Sequence, residues 1–129
     1  MDQETLDRLL DAATEASAHS YSPYSGFPVG AAVLCSDGRI FSGTNIENAS
    51  YGATICAERV AIVKAVSEGA ESILALAVYT NARDFAFPCG MCLQVLSEFA
   101  EDIPVFVAGD SGVRRYLLSE LLPHRFGEE

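Results

Sequence analysis

Three cysteines and one glutamate stand in two short motifs, Cys56-Ala57-Glu58 and Pro88-Cys89-Gly90-Met91-Cys92. Cys89 and Cys92 are three residues apart, so on one helical turn both thiolates face a common point. Cys56 offers a third thiolate from elsewhere in the chain. Three protein ligands leave one tetrahedral position open for water or hydroxide, the arrangement of a catalytic zinc site rather than a closed structural one. The motifs therefore predict one Zn2+ per chain, held by Cys56, Cys89 and Cys92. Glu58, two residues past a ligand, can reach the open position without binding the metal. A carboxylate there can take a proton from the activated water and return it to a leaving group. Alone, such a glutamate reads as a helix-start residue favoured by the helix dipole. Between a cysteine and a downstream Pro-Cys-x-x-Cys it reads as the acid–base group of a metal-assisted hydrolysis.

Placing thiolates at helix starts has a physical reason. A helix N-terminus carries partial positive charge and free N–H groups, which lower a cysteine pKa and stabilise bound thiolate. Zinc with three thiolates has a formal charge of −1 and is a poor Lewis acid unless compensated. Two helix dipoles help, and Arg59 is a candidate for the rest through hydrogen bonding to a ligand sulfur. On spacing alone Arg59 suits a surface salt bridge equally well. The fourth cysteine, Cys35, lies in an apolar run and reads as a small buried core residue.

The motifs need elements to carry them. Leu6, Leu9, Leu10, Ala13 and Ala16 repeat at helical spacing and predict an amphipathic helix over 2–18. Residues 20–26 are loop by composition. The apolar run 29–35, the Asp37-Gly38 turn and the segment 39–43 predict an antiparallel hairpin. Residues 45–54 read as irregular. Apolar positions from Val60 to Val66 predict a helix opening at Cys56 and closed by Gly69. Residues 73–79 form a buried strand, 81–88 a loop, and a second motif helix starts near Cys89. Strands over 104–108 and 113–117 follow, with Ser119 capping a last helical turn before Pro123. The order α-β-β-α-β-α-β-β, with five strands, is that of an α/β layered sandwich. The two motif helices flank one strand, so their starts can lie side by side at one sheet edge. Without repeats, linkers or low-complexity tracts, residues 1–129 read as one domain.

The chain has 129 residues, half of them hydrophobic and a fifth charged. That is a globular composition, of a length that buries roughly two-thirds of the unfolded surface. No apolar run approaches the ~20 residues of a membrane helix. The acidic start Met1-Asp2-Gln3-Glu4 lacks the basic region of a signal peptide, which predicts a cytoplasmic protein. The net charge of −10 argues against nucleic-acid and membrane partners and, more weakly, against highly anionic substrates.

Cys-x-Glu followed by Pro-Cys-x-x-Cys is the three-cysteine form of the zinc deaminase signature. The chain resembles the cytidine deaminase family, specifically its short, homotetrameric branch, over nearly its whole length. The likeness is carried by Tyr24-Ser25-Gly26-Phe27-Pro28-Val29-Gly30-Ala31-Ala32, Asn45-Ile46-Glu47-Asn48-Ala49, Cys56-Ala57-Glu58-Arg59, Pro88-Cys89-Gly90-Met91-Cys92 and Leu121-Leu122-Pro123. The resemblance implies a three-layer α-β-α sandwich with a mixed five-stranded sheet. It implies hydrolysis of cytidine and deoxycytidine to the uridines and ammonia, with zinc-bound hydroxide attacking C4 and Glu58 shuttling protons. Asn45 and Glu47 would bind the ribose hydroxyl, Phe27 would pack against the nucleoside, and the backbone N–H of Ala57 would contact the base. Phe126 would reach into a neighbouring subunit's site and stack on the base, within a homotetramer. Without the resemblance, Asn45 and Glu47 read as a solvated loop pair, Phe27 as a core aromatic and Phe126 as a tail residue.

Three positions depart from the family's usual pattern: Phe87 where serine is common, Met91 where alanine is frequent, and Leu93 where arginine is usual. Leu93 removes a cation near the thiolates, while Phe87 and Met91 are placed to reshape the base pocket. These departures keep a second reading open, a deaminase of a modified aminopyrimidine nucleoside or a blasticidin-type antibiotic. The Asn45-x-Glu47 pair favours a ribose-bearing substrate over the antibiotic. A zinc-stabilised scaffold without activity would instead require a fourth protein ligand, and none is evident.

Overall fold

The strand reading Val-Gly-Ala-Ala-Val-Leu-Cys is buried at every position. A strand buried on both faces needs helices on both sides of its sheet. The computed structural model, which describes residues 1–82 and 84–127, has that architecture. Its elements are α1 (Gln3–Ser17), β1 (Val29–Cys35), β2 (Ile40–Thr44), α2 (Ala57–Ser67), β3 (Ile73–Thr80), α3 (Gly90–Phe99), β4 (Pro104–Gly109), β5 (Gly112–Leu117) and α4 (Leu118–Leu121). The sheet order is β2-β1-β3-β4-β5. Only β3 and β4 pair in parallel; the other three pairings are antiparallel. The expected α/β three-layer sandwich with a mixed five-stranded sheet is therefore the fold observed. Among the described residues no helix is long and apolar enough to cross a membrane.

Side-chain alternation divides the core into two layers. Ala32 and Leu34 of β1, Ala75 and Ala77 of β3 and Phe106 of β4 meet Leu9 and Ala13 of α1. Ala31, Val33 and Cys35, with Leu76, Val78, Val105 and Val107, face α2 and α3 on the other side. Cys35 is thus the buried core residue its surroundings suggested, and burial raises its thiol pKa. The small residues of β1 let both helix layers approach closely. A Cβ on Gly30 would lie 1.8 Å from the Ala13 carbonyl oxygen of α1. On Gly43 of β2 it would lie 2.5 Å from the Ala61 nitrogen and 2.8 Å from the Ala57 carbonyl oxygen.

Two local expectations need correction. Residues 45–54 are not wholly irregular: Ile46 exchanges two backbone hydrogen bonds of 3.0 Å with Ile55, and Tyr51–Ala53 form a 3-10 turn. Ser119 does not cap the last helix but lies inside α4, where its N–H and hydroxyl both donate to Asp102. The Glu120 carboxylate accepts from the Leu117 N–H at the helix start instead. A charged acceptor on each side makes the serine unnecessary as a cap.

The Gly43 contact fixes where α2 lies on the sheet. Gly43→Ala is expected to destabilise the fold by about 1–3 kcal/mol, the range for overpacking a well-filled interface. Gly52→Ala, whose Cβ meets nothing within 4 Å, is expected to be near neutral. Thermal unfolding of the two variants side by side checks this; equal melting temperatures would remove the close approach as a constraint.

Candidate active site

The β3–α3–β4 unit is a parallel crossover, and α2 precedes β3 on the same sheet face. Both helices run back from the same sheet edge, so their N-termini meet there. Cys56 and Cys89 occupy equivalent positions as the N-cap residues of α2 and α3, each with extended backbone and no side-chain capping bond. An N-cap side chain normally satisfies free N–H groups of the first turn. Here a sulfur stands in that place, so the first-turn N–H groups and the dipole face the sulfurs. Cys92 follows one turn into α3 and is buried.

The three Sγ atoms lie within 4.8 Å of one another, Cys89 and Cys92 at 3.5 Å. Thiolates about 2.3 Å from a tetrahedral zinc sit roughly 3.8 Å apart, so the cluster fits one Zn2+ with three thiolate ligands. The protons are shared unevenly among the sulfurs. A hydrogen bond from Cys92, then the Arg59 guanidinium, brings the Cys56 thiol down to about 5. The same bond to Cys56, with burial, drives Cys92 upward. A cation among the sulfurs removes this competition, because all three can then ionise.

Arg59 lies against the sulfur cluster. Its Nη2 donates to the Cys56 Sγ at 3.7 Å, and its buried Nε has no hydrogen-bond partner among the described residues. Leu93, where a second cation was in question, is buried in the core beside Leu96. Glu58 is only 5% exposed. Burial, reinforced by the nearby Cys56, raises its carboxyl to about 7 against the opposing effects of its own backbone N–H and Arg59.

These groups form the floor of a cavity of about 370 Å³, with Cys56, Ala57, Glu58 and Cys89 at its base. That volume lies in the range of small-ligand sites. One wall is Phe27, Val29 and Ile55; another is Phe85, Ala86 and Phe87. Ser25, Asn45, Glu47 and Thr54 make the polar rim. Seven of the ten expected site residues thus line one cavity, and Cys92 is buried next to it, its sulfur against that of Cys89. Arg59 stands behind it, and Phe126 lies outside.

The rim pair is more engaged than a solvated loop would be. The Asn45 Oδ1 accepts from the Ser20 hydroxyl at 2.6 Å and the Val29 N–H at 3.0 Å, and its Nδ2 donates to the Phe27 carbonyl at 2.9 Å. One amide proton remains to donate. Glu47 accepts from the Tyr24 and Ser25 N–H groups at 2.9 and 3.1 Å and from the Ser25 hydroxyl. The Ser25 hydroxyl bond chiefly lowers its pKa, keeping it ionised. Phe126 is 89% exposed, although its backbone is tied to the Gln94 side chain by two bonds of 3.1 and 3.0 Å. Met91 is exposed and does not line the cavity, whereas Phe87 does. Phe85 was missed at the sequence level, although apolar residues at 85–87 within a polar loop were a signal for it.

Three cysteine sulfurs gathered at paired helix starts, a buried carboxylate beside them and a small cavity above make a site suited to metal-assisted hydrolysis. Comparison with known proteins agrees. The model of the cytidine and deoxycytidylate deaminase zinc-binding region matches residues 3–108. A probable cytidine deaminase of Dictyostelium discoideum is 45% identical over 130 residues, covering 100% of this chain and 88% of that protein. The crystal structure of a cytidine deaminase from Burkholderia pseudomallei superposes with a TM-score of 0.88 at 38% identity, covering 98% of this chain and 100% of that one. A blasticidin-S deaminase of Bacillus cereus is 30% identical, covering 96% of this chain and 93% of that protein. The chain belongs to the cytidine and deoxycytidylate deaminase family and is a hydrolytic deaminase.

The geometry makes the metal content testable residue by residue. One zinc per chain is expected by elemental analysis. Cys56→Ala, Cys89→Ala and Cys92→Ala should each lose most of it, and Glu58→Gln should keep it. Zinc retained at full occupancy by any of the three alanine variants would remove that sulfur from the ligand set.

Proposed function

We propose that this chain hydrolyses cytidine and deoxycytidine to uridine and deoxyuridine, releasing ammonia, with zinc held by Cys56, Cys89 and Cys92. The carrying observation is that one cavity has the thiolate cluster and buried Glu58 at its floor and a donor–acceptor pair at its rim. A sugar hydroxyl both donates and accepts. The spare Asn45 amide proton and the Glu47 carboxylate offer the matching partners. This favours a ribose-bearing pyrimidine over blasticidin, despite the likeness to a blasticidin-S deaminase.

Zinc, when bound, supplies an electrophile that activates water as the nucleophile at neutral pH. The rest is assigned to the chain. Phe27 packs on the nucleoside, and the Ala57 N–H, free at the first turn of α2, donates to the base. Glu58 takes one proton from the attacking water and delivers it to N3, then takes the remaining proton from the new C4 hydroxyl and delivers it to the exocyclic amine. The C4–O bond forms, the C4–N bond breaks, and ammonia leaves. Burial of Glu58 keeps bulk water from taking over this relay. Arg59 holds the Cys56 sulfur and offsets the thiolate charge.

The assembly belongs to the same reading. Phe126, Met91 and Tyr51 are large, apolar and exposed, which supports subunit interfaces. In a homotetramer Phe126 would complete a neighbour's cavity by stacking on the base. A cytoplasmic role in pyrimidine salvage follows from the substrate.

Ammonia release from cytidine, deoxycytidine, cytosine, CMP and blasticidin S tests the assignment. Turnover of the two nucleosides is expected, with Glu58→Ala lowering kcat by at least ~10²–10⁴, the range for a lost acid–base group. Glu47→Gln should raise KM for cytidine roughly tenfold or more, the value of one charge-assisted hydrogen bond. Full activity in Glu58→Ala would refute the mechanism, and blasticidin S as the sole substrate would refute the ribose assignment. Light scattering should give four chains per particle; a fully active monomer would exclude the shared site.

A further inference from the structure

The two sides of the cavity come from different helices. Glu58 belongs to the start of α2, whereas Phe85, Ala86 and Phe87 lead into Cys89 at the start of α3. In a flat cytosine ring, N3 and C5 flank C4 on opposite sides. On the function proposed above, C4 faces the thiolate cluster and N3 faces Glu58. The C5 edge then turns away from α2, toward the segment ahead of Cys89.

We infer that Phe87, propped by Tyr116, closes the C5 edge of the base and makes the enzyme discriminate against cytosine nucleosides bearing a 5-substituent. The inference rests on the cytidine reading and goes beyond it by assigning a specificity wall. The Phe87 ring meets the Tyr116 ring edge-on, with centroids 5.4 Å apart and planes at 62°. Arg114 places its guanidinium 4.5 Å over the Phe85 ring. Tyr116 and Arg114 pair with Val105 and Val107 of β4, whose side chains enter the α2–α3 core. Register therefore puts both props on the face that carries the site. Neither lines the cavity, so both are positioning residues that hold the wall from behind. Edge-to-face packing and a cation over a ring each resist rotation of the aromatic they contact.

A braced wall excludes what a swinging side chain would admit. One added carbon in a fitted pocket changes kcat/KM by about 10–200-fold. The unmodified enzyme is expected to prefer cytidine over 5-methylcytidine by at least tenfold in kcat/KM. Phe87→Ala should narrow that ratio tenfold or more. Tyr116→Ala should narrow it less, and Tyr116→Phe, which keeps the ring, should preserve it. Zinc content and melting temperature of each variant separate misfolding from altered selectivity. A ratio unmoved by Phe87→Ala in a folded, zinc-loaded variant, or 5-methylcytidine accepted equally by the unmodified enzyme, overturns the wall. No turnover of cytidine by the unmodified enzyme overturns the substrate reading first, and this inference with it.

Discussion

Three sulfurs that must all carry negative charge have to be held within 4.8 Å of one another. That repulsion is the constraint the rest of the structure serves. A single helix turn can present two of the sulfurs but not a third at the same point. The chain solves this with two helices whose starts meet at one sheet edge. The parallel β3–α3–β4 crossover sets one start, and the close seat of α2 on Gly43 sets the other. Each start brings unpaired N–H groups and a favourable dipole, and Arg59 adds a full positive charge at the Cys56 sulfur. The buried layers on this face hold both helices in register, so the site inherits its precision from the core.

The sequence revealed this site better than the contacts that support it. Cys-x-Glu and Pro-Cys-x-x-Cys are local, and chemistry restricts which residue types can stand in them. The strands and helices were equally readable, because apolar alternation and helical spacing are local too. What spacing did not disclose was contact between distant positions. Nothing near Phe87 in the chain points to Tyr116, and nothing near Gly43 points to the Ala57 carbonyl. Ser119 shows the same limit from the other side. Its type suits a cap, but Asp102 and Glu120 arrive from either side and take the available bonds.

Asn45 shows how one side chain serves two purposes. Three of its hydrogen bonds hold the strand entry at Phe27 and Val29 and the Ser20 loop. Glu47 likewise fixes the 24–25 turn through three bonds. A rim ordered this way loses little freedom when a ligand hydroxyl arrives, which is the physical content of preorganisation. The same bonds use up most of each side chain's capacity. What remains is one donor on Asn45 and an acceptor on Glu47, a pair suited to a hydroxyl and poorly suited to a second anion.

Charge then decides between a nucleoside and a nucleotide. The cavity has the thiolate cluster and Glu58 at its floor and ionised Glu47 at its rim, while the chain as a whole carries −10. Arg59 already faces the Cys56 sulfur, so it is not free to receive a phosphate. A sugar phosphate near Glu47 would bring a dianion beside a carboxylate whose hydrogen bonds hold it ionised. At an effective dielectric of ~20, like charges 4 Å apart cost about 4 kcal/mol, close to a thousandfold in affinity. An uncharged nucleoside meets no such term. The fold family spans both substrate classes by name, and a carboxylate at the rim supports the proposed reading that this chain's cavity takes the uncharged one.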